Sequence, residues 1–181
     1  MGGVSFIQKI QRGRADGMVS KQQYREGMAR FAAAVNIVTT DGPGGCTGFT
    51  ASAACSVTDD PPTLLVCLNR ASLMHTIFEN NRVFCVNTLA GEQRSLSELF
   101  AHRVGIPMQE RFATQSWEKL VTGSPVLRDA LASFDCRISE VHEVGTHWVM
   151  FGEVQDMRVS EEKTALLYLN RSYRELPIKI D

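Results

Sequence analysis

Apolar, β-branched segments separated by short turns constrain the fold of this chain more than any other feature. Two long segments, 133–142 and 147–158, flank Glu143-Val144-Gly145-Thr146, a stretch typical of a hairpin. Segments of this kind follow one another more often than they alternate with helices, which favours antiparallel pairing over a doubly wound parallel sheet. The pattern predicts strands over residues 35–40, 47–58, 63–68, 83–87, 133–142, 147–158 and 165–169. We therefore expect a mainly β fold, an antiparallel barrel with peripheral helices.

Helical segments are expected at the periphery of these strands. Ser20 with Gln23 fits a capping box, so a helix is predicted from Ser20 to about Ala33. Ser72 is predicted to cap a short helix that continues to about Glu79. Further helices are predicted over 92–103 and 125–131, with an irregular excursion over 105–124 between them.

Length and composition narrow the classes of protein to consider. The chain has 181 residues, of which 44% are hydrophobic, and this favours one folded domain, expected over residues 20–181. The net charge is −1 and no basic run interleaves with aromatic residues, which argues against nucleic-acid binding. No apolar run approaches the roughly 18 residues of a membrane span. Residues 1–19 lack the apolar core of a signal peptide, so we expect a mobile extension on a cytoplasmic protein.

Several common site chemistries find no support in the sequence. The five cysteines include no CxxC pair, which indicates buried, reduced thiols. None of the four histidines pairs with Cys, Asp or Glu at ligand spacing in a helix, so no metal site is expected. The stretch Gly42–Gly48 is glycine-rich, but Thr47 stands where a dinucleotide loop needs the glycine that opens a helix. A hairpin turn is the better interpretation of that stretch.

Three stretches carry candidate binding chemistry, and each has a plainer explanation. Residues 50–58 are small and rich in hydroxyls, which lets a flat ligand approach the backbone, although an edge strand with tight packing needs the same side chains. Arg70 and Ser72 stand where a strand meets a helix and suit a phosphate group, or form only a capped helix beside an exposed arginine. His147 follows Gly145-Thr146 at a hairpin tip, where a histidine either lines a cleft and donates a hydrogen bond to a ligand or is only a solvated turn residue.

Taken together, these stretches resemble one protein family. The matching segments are Ala34–Thr40, Gly48–Ala53, Cys55–Thr58, Pro61-Pro62, Val86-Asn87, Gly145–His147 and Arg171–Tyr173. In order and spacing they resemble the short-chain NAD(P)H:flavin oxidoreductases, among them the reductase components of two-component flavin monooxygenases. The likeness extends to family members that act in pyrimidine utilisation, in 4-hydroxyphenylacetate and phenol hydroxylation, and in reduction of cob(II)yrinic acid a,c-diamide. The resemblance implies a split β-barrel of the FMN-binding type, usually as a homodimer.

The resemblance also implies roles for individual residues. The flavin ring and ribityl chain would lie along Thr50, Ala51, Ser52, Ala53 and Ala54, with Ser56 and Val57 beside them. The turn formed by Asn69, Arg70, Ala71 and Ser72 would hold the flavin phosphate, and Asn87 is included in the expected cofactor-binding set. The nicotinamide nucleotide would meet His147, the expected catalytic residue, and the stretch Asn170, Arg171, Ser172 and Tyr173.

The activity that the resemblance implies is an NAD(P)H-dependent flavin reductase. Such an enzyme would transfer hydride from NADH, or from NADPH, to FMN or FAD, and would supply reduced flavin to a partner monooxygenase. One alternative is a reductase whose flavin passes electrons to a cobalt corrinoid. The other, from a different class, is a flavin-binding module without turnover. The expected partners are a second copy of the chain and the flavin-accepting monooxygenase or corrinoid, without nucleic acid or membrane.

Overall fold

The computed structural model describes residues 19–101, 105–161 and 164–178, and this part of the chain is mainly β, as the sequence predicts. The strands are β1 (Ala33–Ala34), β2 (Asn36–Thr40), β3 (Thr47–Ala51), β4 (Ala54–Asp59), β5 (Pro62–Asn69), β6 (Val83–Thr88), β7 (Trp117–Lys119), β8 (Pro125–Leu127), β9 (Ala132–Val144), β10 (His147–Val159), β11 (Thr164–Leu169) and β12 (Ser172–Pro177). The α-helices are α1 (Lys21–Met28), α2 (His75–Asn81), α3 (Arg94–Phe100) and α4 (Met108–Phe112), with a 3₁₀ turn at Gly91–Gln93. Residues 1–18 of the expected extension lie outside the described residues.

Seven strands form one antiparallel sheet in the order β3-β2-β6-β9-β10-β5-β4. The predicted hairpin of long strands is confirmed: β9 and β10 have 13 residues each and are joined by the turn Gly145-Thr146. The two edges of the sheet, β3 and β4, are consecutive in the chain and are joined by Ser52-Ala53 alone. No ladder joins these edges within the described ranges, so the sheet is open and the expected barrel is not confirmed.

The single strand predicted over residues 47–58 is wrong, because the chain breaks it at Ser52-Ala53. Within the described part of the chain, β3 before the break pairs only with β2, and β4 after it pairs only with β5. The chain must therefore turn from one edge of the sheet to the other. Small side chains at the break permit that turn without a clash, and they also leave open space beside it.

Two smaller sheets complete the strand architecture of the residues that the structure describes. The order β1-β11-β12 forms one, and β7 with β8 forms the other. The helix predicted from Pro125 is wrong, since Pro125–Leu127 is a buried strand that pairs with Trp117–Lys119. The Leu127 N–H donates to Asn87 Oδ1 over 2.8 Å, so the buried asparagine binds this segment in extended form. Neither β7 nor β12 is predicted from the sequence.

The helices are shorter than the sequence indicates. The capping box at Ser20 is confirmed, since its hydroxyl accepts the Gln23 N–H over 3.2 Å, but α1 ends at Met28 and not near Ala33. None of the α1 residues is buried. In α3, Leu96 and Phe100 are buried as the helical spacing requires. Within the described ranges, no helix has both the length and the apolar content to cross a membrane.

Two groups of buried apolar side chains form the core. The first packs between the strands of the seven-stranded sheet and includes Val38, Phe84 and Met150. The second lies under α3 and includes Ile37 and Phe100. Full burial of one such side chain contributes about 1.5–3 kcal/mol. Tyr173 and several other side chains pack partly buried against the second group, so this core directly supports the surface next to β3 and β12.

Candidate functional site

The break between β3 and β4 opens onto a cleft of about 490 Å³, which we call the first cleft. It brings together most of the residues predicted for a flavin from three separate parts of the chain. The lining residues are Phe49, Thr50, Ala51, Ser52, Ala53, Cys67, Leu68, Asn69, Ala71, Ser72 and His147. Of the predicted set, Thr50–Ala53, Asn69, Ala71, Ser72 and His147 therefore share one cavity.

The backbone at the break offers free hydrogen-bond donors to this cleft. The Ala53 carbonyl accepts the Cys67 N–H over 3.0 Å, which fixes the break against β5. Among the described residues, neither the Ser52 amide nor the Ala53 amide donates a hydrogen bond. Both residues are exposed, so their N–H groups are available to a ligand with acceptor atoms along its edge.

The turn before α2 differs from the helix cap that the sequence predicts. The helix begins at His75, its N-cap residue is Met74, and no side chain caps it, so the prediction that Ser72 is the N-cap is wrong. The Ser72 hydroxyl instead accepts the Met74 N–H over 3.3 Å, and Asn69 Oδ1 accepts the Ala71 N–H over 2.9 Å. These bonds satisfy the Ala71 and Met74 backbone donors, and the Ser72 hydroxyl proton is a donor that the turn can offer to an anion.

Arg70 lies apart from the first cleft. Its guanidinium forms an ion pair with Glu143 over 2.8 Å, and both side chains are about half exposed. It lines a separate cavity of about 590 Å³ that also contains His75 and Trp148. Since this arginine is engaged by a carboxylate, it contributes little free positive charge to the first cleft.

His147 is the first residue of β10 and stands at the rim of the first cleft. It pairs with Asn69 on β5 and with Val144 on β9, so two ladders hold its backbone. Its ring is exposed, and its Nδ1 lies 3.0 Å from the Thr146 hydroxyl. The hairpin-tip placement predicted from the sequence is thus confirmed, while the catalytic role stays a prediction.

A second cleft, of about 700 Å³, adjoins the first and shares Thr50 and Ser52 with it. Its other lining residues are Val35, Arg94, Glu98, Ala101, Tyr168, Arg171, Ser172, Tyr173 and Arg174. It therefore contains three of the four residues predicted from the late stretch of the chain. Asn170 is the exception: it takes a positive φ of 50° in the β11–β12 turn and donates its N–H to the Ala29 carbonyl over 2.5 Å.

Three guanidiniums and one carboxylate give the second cleft its charge. Arg94 pairs with Glu98 over 3.2 Å, and Arg171 pairs with Glu26 of α1 over 2.7 Å. The hydrogen bond from Arg171 lowers the pKa of Glu26, so this pair stays charged at neutral pH. Arg174 forms no ion pair within the described part of the chain. Sequence reasoning missed Arg94, Glu98 and Arg174, because no local pattern relates α3 to β12.

Some predicted site residues lie elsewhere. Asn87 is fully buried, donates to the Ile37 carbonyl over 3.2 Å and accepts from the Ser133 hydroxyl over 3.0 Å, so it belongs to the core and lines neither cleft. Ala54 and Ser56 follow the break on β4 and line other cavities, and exposed Val57 lines none of those described. These positions lie beyond the break because β4 turns away from β3.

The cysteine prediction is partly corrected. All five thiols are free, and Cys85 and Cys136 are buried, but Cys46 and Cys55 are exposed. Burial raises the pKa of Cys136 to about 12. Burial, reinforced by Cys55, also raises the pKa of Cys67, which lines the first cleft. A protonated thiol is a poor nucleophile, so this arrangement does not favour thiol chemistry.

Comparison with known proteins places the chain in a family. Residues 28–177 match the family described as flavin reductase like domain. The chain is 53% identical to FMN reductase (NADH) RutF of Pantoea ananatis over 161 residues, 89% of this chain and 84% of that protein. It is similar in structure to BorF, the flavin reductase component of a bacterial two-component tryptophan halogenase (TM-score 0.82, 29% identity, 88% of this chain and 100% of that one). It is also similar to the NADH:FAD oxidoreductase SgcE6 of Streptomyces globisporus, solved with NAD and FAD fragments (TM-score 0.79, 27% identity, 90% and 96%). The protein described here therefore belongs to the flavin reductase family.

Proposed function

We propose that this protein is an NADH-dependent flavin reductase that binds FMN in the first cleft and NADH in the second. The observation that carries the proposal is that the two clefts meet along Thr50 and Ser52. Hydride transfer requires its two partners in contact, and ligands in adjoining clefts satisfy that requirement. The relative from Pantoea ananatis, an FMN reductase that uses NADH, supports the same assignment.

The first cleft fits a flavin by size and by chemistry. Ala51, Ser52 and Ala53 leave space for a flat ring close to the backbone, and two unpaired amides there match the acceptor edge of an isoalloxazine. Bound FMN supplies the ring that takes the hydride, so that NADH, FMN and a proton give NAD⁺ and reduced FMN. The Ser72 hydroxyl would donate to the phosphate. FAD, with the same ring, is the alternative flavin.

The second cleft fits an anionic nucleotide. Arg94 and Arg174 would attract the nucleotide phosphates, and Arg174 is free to do so because it has no ion pair among the described residues. Tyr173 offers an aromatic wall on the side of β12. His147, across the shared floor, would donate a hydrogen bond to the nicotinamide carboxamide. NADH is the proposed donor, and NADPH is the alternative with one more phosphate.

A second copy of the chain is the proposed partner at the face formed by α1. Tyr24 and Phe31 are 64% and 68% exposed, and with Met28 they line an apolar cavity of about 580 Å³. The cavity continues into the first cleft through Ser52 and Ala53. Large contiguous apolar surface of this kind marks an interface, and a homodimer would cover it beside the flavin. Sedimentation of Phe31→Ser should show a monomer where the wild type is a dimer; a monomeric wild type would contradict this assignment.

Reduced flavin would pass to a partner monooxygenase in the cytoplasm. BorF, similar in fold and sequence, is a component of a two-component system, which supports an acceptor of this kind. The relatives reported above do not favour the corrinoid reductase or the flavin-binding module without turnover. The proposed acceptor is therefore an enzyme that takes up reduced flavin, either by free diffusion or by direct transfer from this protein.

Steady-state oxidation of NADH separates these functions. Purified protein with NADH should show turnover that depends on added FMN, with FAD and NADPH assayed in parallel. Binding of FMN without turnover, with either NADH or NADPH, would identify a binding module and overturn the proposal. A reaction that needs cob(II)alamin as acceptor and does not proceed with free FMN would identify the corrinoid reductase instead.

A further inference from the structure

Ser97 of α3 lines neither cleft, yet it is bonded to a residue of each. Its side chain is fully buried. Its backbone carbonyl accepts the Thr50 hydroxyl over 2.6 Å, and its own hydroxyl lies 2.9 Å from the Tyr173 hydroxyl. Thr50 belongs to both clefts and Tyr173 to the second cleft alone. One serine thus links the floor common to the two clefts with the wall of one of them.

The bond between the two hydroxyls adds to the packing of Tyr173 against the second core group and to two ring contacts. The guanidinium carbon of Arg94 lies 5.2 Å from the ring centroid, one helical turn before Ser97. The Tyr168 ring meets it edge to face with centroids 5.3 Å apart. Arg94 and Tyr168 restrain the ring of Tyr173, and only the Ser97 hydroxyl among these contacts fixes its phenolic end. Loss of the Ser97 hydroxyl would therefore free the phenolic end of the ring.

The helix itself has no need of this hydroxyl. The Ser97 carbonyl accepts the Ala101 N–H over 3.0 Å as an ordinary helical bond, and Leu96 and Phe100 provide the buried apolar contacts of α3. Alanine is a better helix former than serine. If this residue served the helix alone, alanine would be the better choice. Alanine would, however, leave the Tyr173 hydroxyl without its partner.

We propose that Ser97 is a positioning residue that fixes Tyr173, and through it the nucleotide in the second cleft, relative to Thr50 and the flavin cleft. The proposal rests on the function proposed above. The two bonds of Ser97 serve different ligands. The bond from Thr50 to the Ser97 carbonyl belongs to the backbone, so it remains when the serine side chain is replaced by alanine, and the flavin cleft is kept. The bond between the Ser97 and Tyr173 hydroxyls serves the nucleotide alone. Loss of the hydroxyl should therefore weaken NADH and spare FMN.

The test compares Ser97→Ala with Tyr173→Phe, which removes the same bond from its other end, and with the double variant. Each single variant should raise the KM for NADH about five- to tenfold, which corresponds to the loss of one hydrogen bond. The kcat should change far less. The Kd for FMN, from flavin fluorescence, should stay within about twofold in Ser97→Ala. The double variant should be no worse than either single variant, because one bond is lost in all three. Ser95→Ala, the same change at an exposed position of α3, is the matched control and should match the wild type.

Several results would overturn the proposal. A lower melting temperature of Ser97→Ala with an unchanged KM for NADH would make Ser97 a structural residue only. Additive effects in the double variant would mean that the two hydroxyls act separately, and an equal loss of FMN affinity would mean that the nucleotide is not the ligand served. If Ser97→Ala does not fold, Tyr173→Phe decides alone, and an unchanged KM there overturns the idea. A wild type that does not oxidise NADH with FMN would overturn the proposed function and this inference together. An active wild type whose variants have an unchanged KM for NADH would overturn this inference alone.

Discussion

Gly152 lies directly against the ring of Phe84, so closely that a Cβ at this position would stand 2.8 Å from Phe84 Cε1 and 2.9 Å from Cys136 Cβ. Phe84 and Cys136 are both fully buried in the core of the large sheet. The register between β9 and β10 shifts between Phe151 and Gly152, at this point of closest approach. The absence of a side chain here lets β10 pass over a large aromatic ring at the centre of the sheet.

Gly152→Ala should therefore lower the free energy of unfolding by about 1–3 kcal/mol, the usual cost of overpacking a core. The strand backbone fixes Cys136 Cβ, and the fully buried Phe84 ring has no free space to move into. Gly27→Ala is the matched control, since nothing lies within 4 Å of a Cβ there and the position is helical. It should raise stability by about 0.5–1 kcal/mol. Urea unfolding measures both, and a Gly152→Ala protein as stable as the wild type would refute the close approach.

Asp135 should make stability depend on pH. It is buried, and it accepts the Thr122 N–H over 2.7 Å together with the Thr122 hydroxyl. Burial raises its pKa above the ordinary value of 3.8, although the hydrogen bonds from Thr122 oppose that effect. A raised pKa means that the folded protein holds the proton more tightly than the unfolded chain, so this stabilisation is complete at low pH and is lost as pH rises through the folded pKa.

Asp135→Asn removes that titration and keeps an acceptor oxygen. The free energy of unfolding of the variant should therefore increase relative to that of the wild type as pH rises above 3.8, because only the wild type loses stability there. Urea unfolding of both proteins over a pH series measures the difference, in which the other carboxyl groups cancel. A difference that stays constant with pH would show that Asp135 has the same pKa folded and unfolded.

Ser72→Asp should weaken FMN binding far more than Ser72→Ala. An added carboxylate on the wall of the first cleft would repel the flavin phosphate, at a cost of about 1–4 kcal/mol for charges near 4 Å. Alanine removes only one donor, so its effect should be smaller, about 1 kcal/mol. Both variants should fold, because Ser72 is exposed enough to line the cleft and caps no helix. Equal FMN affinity in the two variants would place the phosphate elsewhere.

His147→Ala should affect NADH and leave FMN retention nearly unchanged. The ring stands at the rim of the first cleft, across the shared floor from the second. Loss of one hydrogen bond to the nucleotide should remove about 1–3 kcal/mol of transition-state stabilisation. The kcat/KM for NADH should fall accordingly. Stopped-flow reduction of bound FMN is the measurement. A variant that reduces FMN as fast as wild type would leave His147 as a solvated turn residue.

The sequence predicts the strands and the first cleft better than the second. Long alternating segments and a glycine turn define β9 and β10, and the small residues from Thr50 to Ala53 do line a cavity. The break at Ser52 could not be foreseen, because small residues suit a continuous strand as well as a turn. The Ser72 cap fails for a related reason: its hydroxyl bonds within a local turn, a competing arrangement open to any serine before a helix.

The second cleft depends on contacts that no local pattern reveals. Arg94 on α3 and Arg174 on β12 line one cleft only because β11 and β12 pack against the 3₁₀ turn Gly91–Gln93 that precedes the helix. Asn87 shows the opposite case, a residue that was expected at the cofactor and lies in the core instead. Its side chain accepts hydrogen bonds from β8 and β9 and so joins them to β6. Its position in the fold, and not a ligand, accounts for the asparagine.

Anaerobic mixing of NADH with the FMN-loaded protein tests the central claim most directly, because it isolates hydride transfer from every later acceptor. We predict loss of the oxidised flavin absorbance with one FMN reduced for each NADH consumed, at a rate that saturates with NADH concentration. FMN that remains bound and oxidised in the presence of excess NADH and of excess NADPH would contradict the account, since adjoining clefts would then bring no donor to the flavin.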